Sequence, residues 1–248
     1  MKIICCVKHC PDSAARIDAG ADGRHIKSEG IDFGPSPFDE FGVEEAIKLR
    51  DKAGAGEVVV VSAGDDAAIN SLRKAMAMGA DRAKHVKGIF EDPAATAAAL
   101  AKAIEGEKPD IVFCGKEAID TNAGCVPAFL AFALSLPLVT HVCELAVESG
   151  QFKAKRPVEG GLEVIEGKLP AVISCTKGLN EPRFPSLPGI MKAKKKPVDS
   201  VDAGPVQART SVTSLTLPER RKAGRFNGQG AAAIPGLMEL LKNEVQIL

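Results

Sequence analysis

Short apolar runs alternate along the chain with segments of helical periodicity, and this alternation constrains the fold more than any other feature. Apolar runs typical of strands buried on both faces lie at residues 2–7, 57–63, 82–87 and 110–114. Helical patterns lie at residues 38–53, 66–79, 94–105 and 126–134. Because helices of roughly ten to fifteen residues separate the strands, the pattern predicts right-handed βαβ units and a doubly wound α/β core with a parallel sheet.

The pattern changes after residue 139, where four apolar runs follow one another closely. They lie at residues 140–148, 152–157, 162–166 and 169–175. The turn-like stretches at 149–151 and 159–161 contain glycine and favour hairpins. We therefore expect an antiparallel addition to the parallel sheet.

The last fifty residues have a different composition again. Residues 198–230 are poor in large apolar side chains and rich in Gly, Pro, Arg and Ser, and 234–241 has the pattern of a short amphipathic helix. A tail that ends in an apolar helix usually packs on its own or another chain. The expected organisation is an α/β domain at 1–197 followed by an arm at 198–248.

Composition and charge exclude several classes of protein. Lys+Arg and Asp+Glu both number 32, and a net charge of zero argues against general nucleic-acid binding. Seven cysteines lack CxxC spacing, and four of them sit inside apolar strand-like runs, which predicts a reduced compartment and small buried hydrophobic residues rather than disulfides or a metal site. No apolar run reaches the roughly 18 residues of a membrane helix, and the N-terminus lacks the features of a signal peptide. The expected location is the cytoplasm or an equivalent reduced compartment.

Three loops follow the predicted strands at the edge where a doubly wound sheet binds its ligands. They are residues 8–12, 64–66 and 115–124. The third loop runs into a helix, whose free N–H groups suit a phosphate. Thr121 and Asn122 add neutral donors, and Asp120 can cap the helix or accept a ribose hydroxyl. A simple capped loop explains the same residues.

The sequence lacks the usual signatures of catalysis. No GxGxxG follows the first strand, Gly115-Lys116 precedes a glutamate rather than Ser or Thr, and GxSxG does not occur. We expect His9 and His141 to be packing or surface residues, and Glu44 and Glu45 to be solvated charges that point apart. A nucleotide held without a nucleophile or base indicates a structural or redox use of that nucleotide.

Residues 177–197 are unusual for either a core element or a linker. They contain four prolines, the apolar residues Leu179, Phe184, Leu187, Ile190 and Met191, and a closing run of Lys192, Lys194, Lys195 and Lys196. A proline-stiffened loop with apolar side chains beside a positive patch is typical of a docking surface. The alternative is a surface crossover that ends in solvated lysines.

Five stretches carry a resemblance to a known family. They are PFDEFGVEEAIKLRDK (37–52), LRKAMAMGADRA (72–83), GKEAIDTNAG (115–124), LEVIEGKLPAVIS (162–174) and GLNEPRFPSLPGIMKAKKKP (178–197). They occur in order and with family-like spacing, so residues 1–197 closely resemble the beta subunits of electron-transfer flavoproteins. The last fifty residues match only loosely.

The resemblance implies a fold and a function. The fold is Rossmann-like, of the adenine nucleotide alpha-hydrolase type. The function is that of an electron carrier without catalytic residues of its own, paired with an alpha subunit that holds most of the redox FAD. The beta subunit buries a structural AMP and its C-terminal arm packs on the alpha subunit. Electrons pass from flavin dehydrogenases, such as those for acyl-CoA in fatty acid beta-oxidation, to a membrane quinone oxidoreductase.

The resemblance also assigns residues. The AMP-binding set is Cys6, Ser36, Pro37, Phe38, Asp39, Ala63, Gly115, Lys116, Glu117, Ala118, Ile119, Asp120, Thr121, Asn122 and Ala123. Phe38 is also implied to lie near the flavin. The recognition loop for dehydrogenases, at 175–197, uses Leu179, Phe184, Leu187, Ile190, Met191, Lys192 and Lys195, with Leu187 as the apolar anchor.

The chain departs from the family at three places. Ser36 stands where Asn is frequent, Ser13 where some members have tyrosine, and the loop after Asp120 is shorter than in the mitochondrial type. Two alternatives stay open. One is the beta subunit of a bifurcating homologue, with a second FAD in place of AMP and NADH as substrate. The other is a stand-alone nucleotide-binding protein of the stress type.

Overall fold

The strands and helices of the first half follow the predicted alternation. The computed structural model describes residues 1–218, 224 and 228–247. Its first elements are β1 (Lys2–Cys6), β2 (His9–Pro11), β3 (Phe33–Pro35), α1 (Pro37–Ala53), β4 (Glu57–Gly64), α2 (Ala68–Met78), β5 (Arg82–Lys87), α3 (Pro93–Glu105), β6 (Ile111–Gly115) and α4 (Val126–Leu134). The small β2–β3 hairpin has no signal in the apolar pattern and was not expected.

The second half of the chain adds strands to the central sheet and forms a separate antiparallel sheet. Its elements are β7 (Leu138–Val142), β8 (Glu144–Glu148), β9 (Gln151–Val158), β10 (Gly161–Lys168), β11 (Ala171–Cys175), α5 (Leu187–Lys195), β12 (Val198–Val201) and α6 (Ile234–Leu240). Short 3-10 and π-helical turns flank α6. Among the described residues, no helix is long and apolar enough to cross a membrane.

A seven-stranded sheet forms the centre, in the order β12-β5-β4-β1-β6-β11-β7, and every pair in it is parallel. Helices α1 and α2 cover one face, and α3 and α4 cover the other. The strand order reverses at β1, because β4 lies on one side of it and β6 on the other. The predicted doubly wound, Rossmann-like α/β fold is confirmed, and the switch point lies at the carboxyl ends of these strands.

The antiparallel addition exists, but it is smaller than the sequence pattern indicated. It has three strands in the order β10-β9-β8 and packs Phe152 and Ala154 into the core on the α1 side. The prediction that 169–175 belongs to it is wrong, since β11 lies between β6 and β7 in the parallel sheet. All five residues of β11 are buried, without the alternation of a half-exposed strand. The predicted strand 140–148 is also divided, into β7 of the central sheet and β8 of the addition.

The chain divides into two compact units, Met1–Leu215 and Thr216–Leu248. The first unit extends beyond the predicted boundary at 197/198, because β12 pairs with β5 and Ala203 is buried in the core. The backbone N–H groups of Arg209 and Thr210 both donate to Asp92, at the start of α3. The second unit contains α6 where an amphipathic helix was predicted. Residues 219–223, 225–227 and 248 of the predicted arm lie outside the described residues.

Candidate functional site

A cavity of about 250 Å³ opens at the switch point, between the ends of β1, β4 and β6 and the starts of α3 and α4. Parallel strands all deliver their following loops to this edge, which is why residues distant in sequence meet here. Eight of the fifteen predicted AMP-binding residues line it: Cys6, Asp39, Ala63, Gly115, Glu117, Ala118, Thr121 and Ala123.

The other predicted residues lie close by without lining the cavity. Ser36, Pro37 and Phe38 begin α1, and Lys116, Ile119, Asp120 and Asn122 belong to the loop after β6. The ammonium group of Lys116 lies 4.7 Å from the centre of the Phe38 ring. Asp120 pairs with Lys8 Nζ at 2.8 Å, which joins the loop after β6 to the loop after β1.

Several lining residues were missed by the sequence analysis. They come from the loop after β5 and from α3: Phe90, Glu91, Pro93, Thr96 and Leu100. Their position along the chain could have predicted them, because residues 88–92 also follow a strand of the parallel sheet. Phe90 brings an aromatic ring to the wall, and a Cβ on Gly88 would come within 2.6 Å of that ring. Val7, Lys8, Cys114, Gly124, Val126 and Pro127 complete the lining.

Asp39 connects three elements at the cavity. The backbone N–H of Lys8 donates to Asp39 Oδ2 at 2.8 Å, and that of Gly115 donates to Oδ1 at 2.8 Å. Burial raises the pKa of the Asp39 carboxyl to about 7, and the two N–H bonds oppose that rise only in part. This carboxyl therefore holds the ends of β1 and β6 against the first turn of α1.

Two helices begin at the cavity and differ at their N-termini. Asp92 caps α3 by accepting from the N–H of Ala95 at 2.8 Å. At α4 the corresponding residue, Cys125, contributes no side-chain cap within the described part of the chain. The loop before α4 contains Asn122 and Gly124 with φ of +49° and +61°. In the first turn of α4, Pro127 has no N–H and the N–H of Ala128 donates to the Cys125 carbonyl at 3.1 Å, which leaves the N–H of Val126 without an acceptor among the described residues.

The residues present fit an adenine nucleotide. Val7, Ala63, Phe90 and Leu100 supply apolar walls, and the start of α4 offers the N–H of Val126 to a phosphate. The hydroxyl of Ser36, beside Asp39, is fully buried and has no hydrogen-bond partner among the described residues. Ser36 does not line the cavity, so a group bound there would reach this hydroxyl only after a local rearrangement. Asp39, Glu91 and Glu117 also line the cavity, so any phosphate must lie away from these carboxyls.

The predicted recognition loop is in part a helix. Ser186 caps α5 by accepting from the N–H of Gly189, and Pro188 occupies its first turn. Leu187 is 78% exposed, and Phe184 and Met191 are 96% and 70% exposed. Ile190, Lys192 and Lys195 are also exposed. Leu179 differs from the rest of the set, because it is half-buried and packs against the core.

Two expectations for charged residues need correction. Glu44 and Glu45 are not solvated; both are buried, and they contact Arg183 and Asn180 of the segment before α5. Lys196 does not extend the exposed positive patch, because its ammonium group donates to the carbonyls of Met76 and Ala80 at the end of α2. The two histidines lie as expected: His9 stacks on Phe33 with ring centroids 5.1 Å apart, and His141 is exposed.

A seven-stranded parallel sheet with a cavity at its switch point defines a Rossmann-like α/β protein. Residues 25–206 match the family model described as the electron transfer flavoprotein domain. The chain is 39% identical over its full length to the electron transfer flavoprotein subunit beta of Syntrophomonas wolfei, and covers 98% of it. It is 39% identical to that of Bradyrhizobium diazoefficiens, both chains covered fully, and 36% identical to the human subunit over 90% of this chain and 91% of the human one. The chain belongs to the family of electron transfer flavoprotein beta subunits.

Proposed function

We propose that this chain is the beta subunit of a heterodimeric electron-transfer flavoprotein that binds a structural AMP. The observation that carries this proposal is the match along the whole chain to proteins named as that subunit. An alpha subunit completes the carrier and holds most of the FAD. The beta subunit then works as an electron carrier rather than as an enzyme.

The cavity is the proposed AMP site. The base would lie against the apolar walls near Phe90 and Leu100, and the phosphate would accept from the N–H of Val126 at the start of α4. Lys8 and Lys116 lie at the edge, but both are paired with carboxylates, Asp120 and Glu117, so the phosphate would depend on backbone N–H groups. AMP performs no chemistry there; bound between the ends of β1, β4 and β6 it would fix the loops that follow them.

Phe38 is the proposed contact with the flavin of the alpha subunit. It is half-buried at the first turn of α1, directly before the cavity residue Asp39. FAD would supply the redox chemistry when bound to the heterodimer. The role of this chain is then to present an apolar edge and to exclude water, with the Lys116 ammonium group above the Phe38 ring.

The segment that ends in α5 is the proposed recognition site for flavin dehydrogenases, such as those for acyl-CoA, and Leu187 is its anchor. One apolar side chain entering a pocket of the partner suits a short-lived complex that serves several donors before the electrons reach a quinone oxidoreductase. Its exposed neighbours Phe184 and Met191 would exclude water around the anchor, and Lys192, Lys194 and Lys195 would add a salt-sensitive attraction. The seven free cysteines are consistent with the cytoplasm or an equivalent reduced compartment.

The nucleotide content of the purified heterodimer tests the proposal. We expect one FAD and one AMP per heterodimer, measured by chromatography of the nucleotides that are released on denaturation. Two FAD and no AMP would indicate the bifurcating homologue instead, and NADH oxidation would accompany it. Purification of a stable monomer that never associates with an alpha subunit would favour a stand-alone nucleotide-binding protein.

A further inference from the structure

The exposed recognition residues lie on a segment whose first part is held by a buried carboxylate. The side chain of Glu44, in the middle of α1, is only 7% exposed. It accepts three N–H groups of Arg183: Nε at 2.7 Å, Nη2 at 2.9 Å and the backbone N–H at 3.2 Å. Arg183 directly precedes Phe184, so this contact fixes both the side chain and the backbone at the entry to the exposed residues.

A second contact from α1 lies three residues earlier. The side-chain amide of Asn180 donates to the carbonyl of Phe41 at 3.0 Å and to Glu45 Oε2 at 2.9 Å. Glu45 is itself buried, with its side chain 6% exposed. Two neighbouring acidic residues of α1 therefore both bind the segment that leads to α5.

The other end of the segment is held by α2. Arg73 Nη1 donates to the carbonyls of Ala193 and Lys196 at 2.5 and 2.6 Å, at the end of α5. A Cβ on Gly189 would lie 2.6 Å from the carbonyl oxygen of Ala77, so α5 rests directly on the backbone of α2. The segment is thus fixed at both ends, while Phe184 and Leu187 between them stay exposed.

This arrangement is unfavourable in two respects, because it buries a carboxylate and leaves large apolar side chains exposed. A buried carboxylate is stable only when it is paired and hydrogen-bonded. Large exposed apolar side chains would otherwise tend to fold onto nearby apolar surface, because that removes them from water. Fixing the segment in advance avoids ordering it when a partner binds, and this preorganisation increases affinity.

We propose that Glu44 and Arg183 form a positioning clamp that holds Phe184 and Leu187 in the geometry needed for docking before the partner arrives. The clamp acts through the recognition residues and touches neither flavin nor nucleotide. It therefore sets the affinity for the dehydrogenase and leaves the rate of electron transfer within the complex unchanged. This inference rests on the proposed function of the segment, and the experiment below separates the two.

The central variant is Glu44→Gln in the full heterodimer, assayed with a purified acyl-CoA dehydrogenase reduced by its substrate. We expect the KM of the dehydrogenase for the heterodimer to rise about three- to tenfold. A weakened charged hydrogen bond lowers the fraction of molecules whose segment is in the conformation that docks. We expect kcat, FAD content and AMP content to stay unchanged. Glu163→Gln is the matched control, because it removes the same charge from an Arg–carboxylate pair elsewhere, that of Arg156 and Glu163.

The Leu187→Ala background tests whether the clamp acts through the anchor. There, Glu44→Gln should raise KM no further, whereas an equal rise in both backgrounds would overturn the positioning role. Hydrogen exchange of the α5 amides should accelerate in Glu44→Gln and not in Glu163→Gln; unchanged exchange together with unchanged KM would also overturn it. Arg183→Lys, at the half-exposed end of the clamp, repeats the test if Glu44→Gln folds poorly.

If Leu187→Ala by itself left KM unchanged, the proposed docking function of the segment would fail, and with it the effect of the clamp on affinity. Hydrogen exchange would still decide whether Glu44 and Arg183 hold the segment in place.

Discussion

Gly115 is the glycine of the cavity lining at which an added Cβ would come closest to another atom. A Cβ at this position would lie 2.5 Å from Asp39 Oδ1 and 2.8 Å from Phe38 Cβ. Both neighbours belong to the first turn of α1, which must approach the end of β6 closely for Asp39 to accept the N–H of Gly115. The absence of a side chain at 115 therefore permits the contact on which this edge of the cavity depends.

Gly115→Ala should destabilise the protein by roughly 1–3 kcal/mol, because the new methyl group forces α1 away from β6. The same displacement should lower the AMP content of the heterodimer, measured on released nucleotides. Gly106→Ala is the control: Gly106 has a helical φ of −69°, and no described atom lies within 4 Å of its Cβ position. Equal unfolding midpoints in urea for the two variants would contradict the steric argument.

The clamp residues show how little a local pattern says about a charged pair. Two adjacent glutamates on a helix are most often solvated, and this pattern predicted solvated side chains for Glu44 and Glu45. Their partners, Arg183 and Asn180, are 139 and 135 residues away along the chain. No periodicity connects positions so far apart, and the contact arises only when α1 and the segment before α5 pack together.

At the scale of elements, Asp39 joins α1 to the ends of β1 and β6 through a carboxyl whose pKa is raised by burial to about 7. In an unfolded chain its pKa is near 3.9, so between about pH 4 and pH 7 unfolding releases a proton. The contribution of this group to stability therefore falls as the pH rises through that window. Above pH 7 Asp39 is ionised, and burial of its charge then lowers the free energy of unfolding by the full amount.

Asp39→Asn should remove this dependence. The amide offers only one oxygen acceptor to the two N–H groups, so the variant should have a lower free energy of unfolding than the native protein at pH 5. This difference should shrink between pH 5 and pH 8, because only the native protein loses stability as Asp39 ionises. Urea unfolding at several pH values measures the difference. A constant deficit over this range would mean that the carboxyl is ionised throughout, as its two N–H bonds by themselves would favour.

Elements with strong periodicity were predicted from the sequence, and those that depend on neighbours were not. Helices α1 to α4 and strands β1, β4, β5 and β6 lie where the apolar pattern placed them. Strand β11 was assigned to the wrong sheet, because a short apolar run does not reveal which strand it pairs with. Helix α5 was missed because the prolines around it suggest a loop, although Ser186 and Pro188 are also typical of a helix start.

At the scale of the whole molecule, the compact unit ends at Leu215 and the remaining residues form a second unit. Residues 198–215 belong to the first unit through the β12–β5 pair, the buried Ala203 and the contacts of Asp92 with Arg209 and Thr210. The proposed arm on the alpha subunit would then begin after residue 215. Truncation at two points tests this division.

A chain that ends at residue 215 should unfold at nearly the same temperature as the full chain, since it keeps every contact of the first unit. Truncation at residue 197 should lower the free energy of unfolding by roughly 3 kcal/mol or more, because it removes an edge strand and exposes apolar core surface and Asp92. Thermal unfolding of the purified chains gives the comparison. Equal losses for both truncations would argue against a boundary at 215.

The shorter of these two deletions also tests the arm. Removing residues 216–248 should weaken association with the alpha subunit, as measured by size-exclusion chromatography of the mixed subunits, without changing the stability of the first unit. Undiminished association would place the contact with the alpha subunit elsewhere on this chain.

By itself, the sequence determined the fold class, the edge of the sheet that carries the cavity, and the family. These follow from apolar periodicity and from short motifs, which are properties of neighbouring residues. Only the tertiary structure decided that Asp39 binds the N–H of a residue 76 positions away, that Glu44 holds Arg183, and that Lys196 turns inward. The physical reason is that a charged side chain is stabilised by whichever partners surround it after folding. Local sequence does not encode whether a charged side chain becomes buried, and burial decides whether it needs a partner.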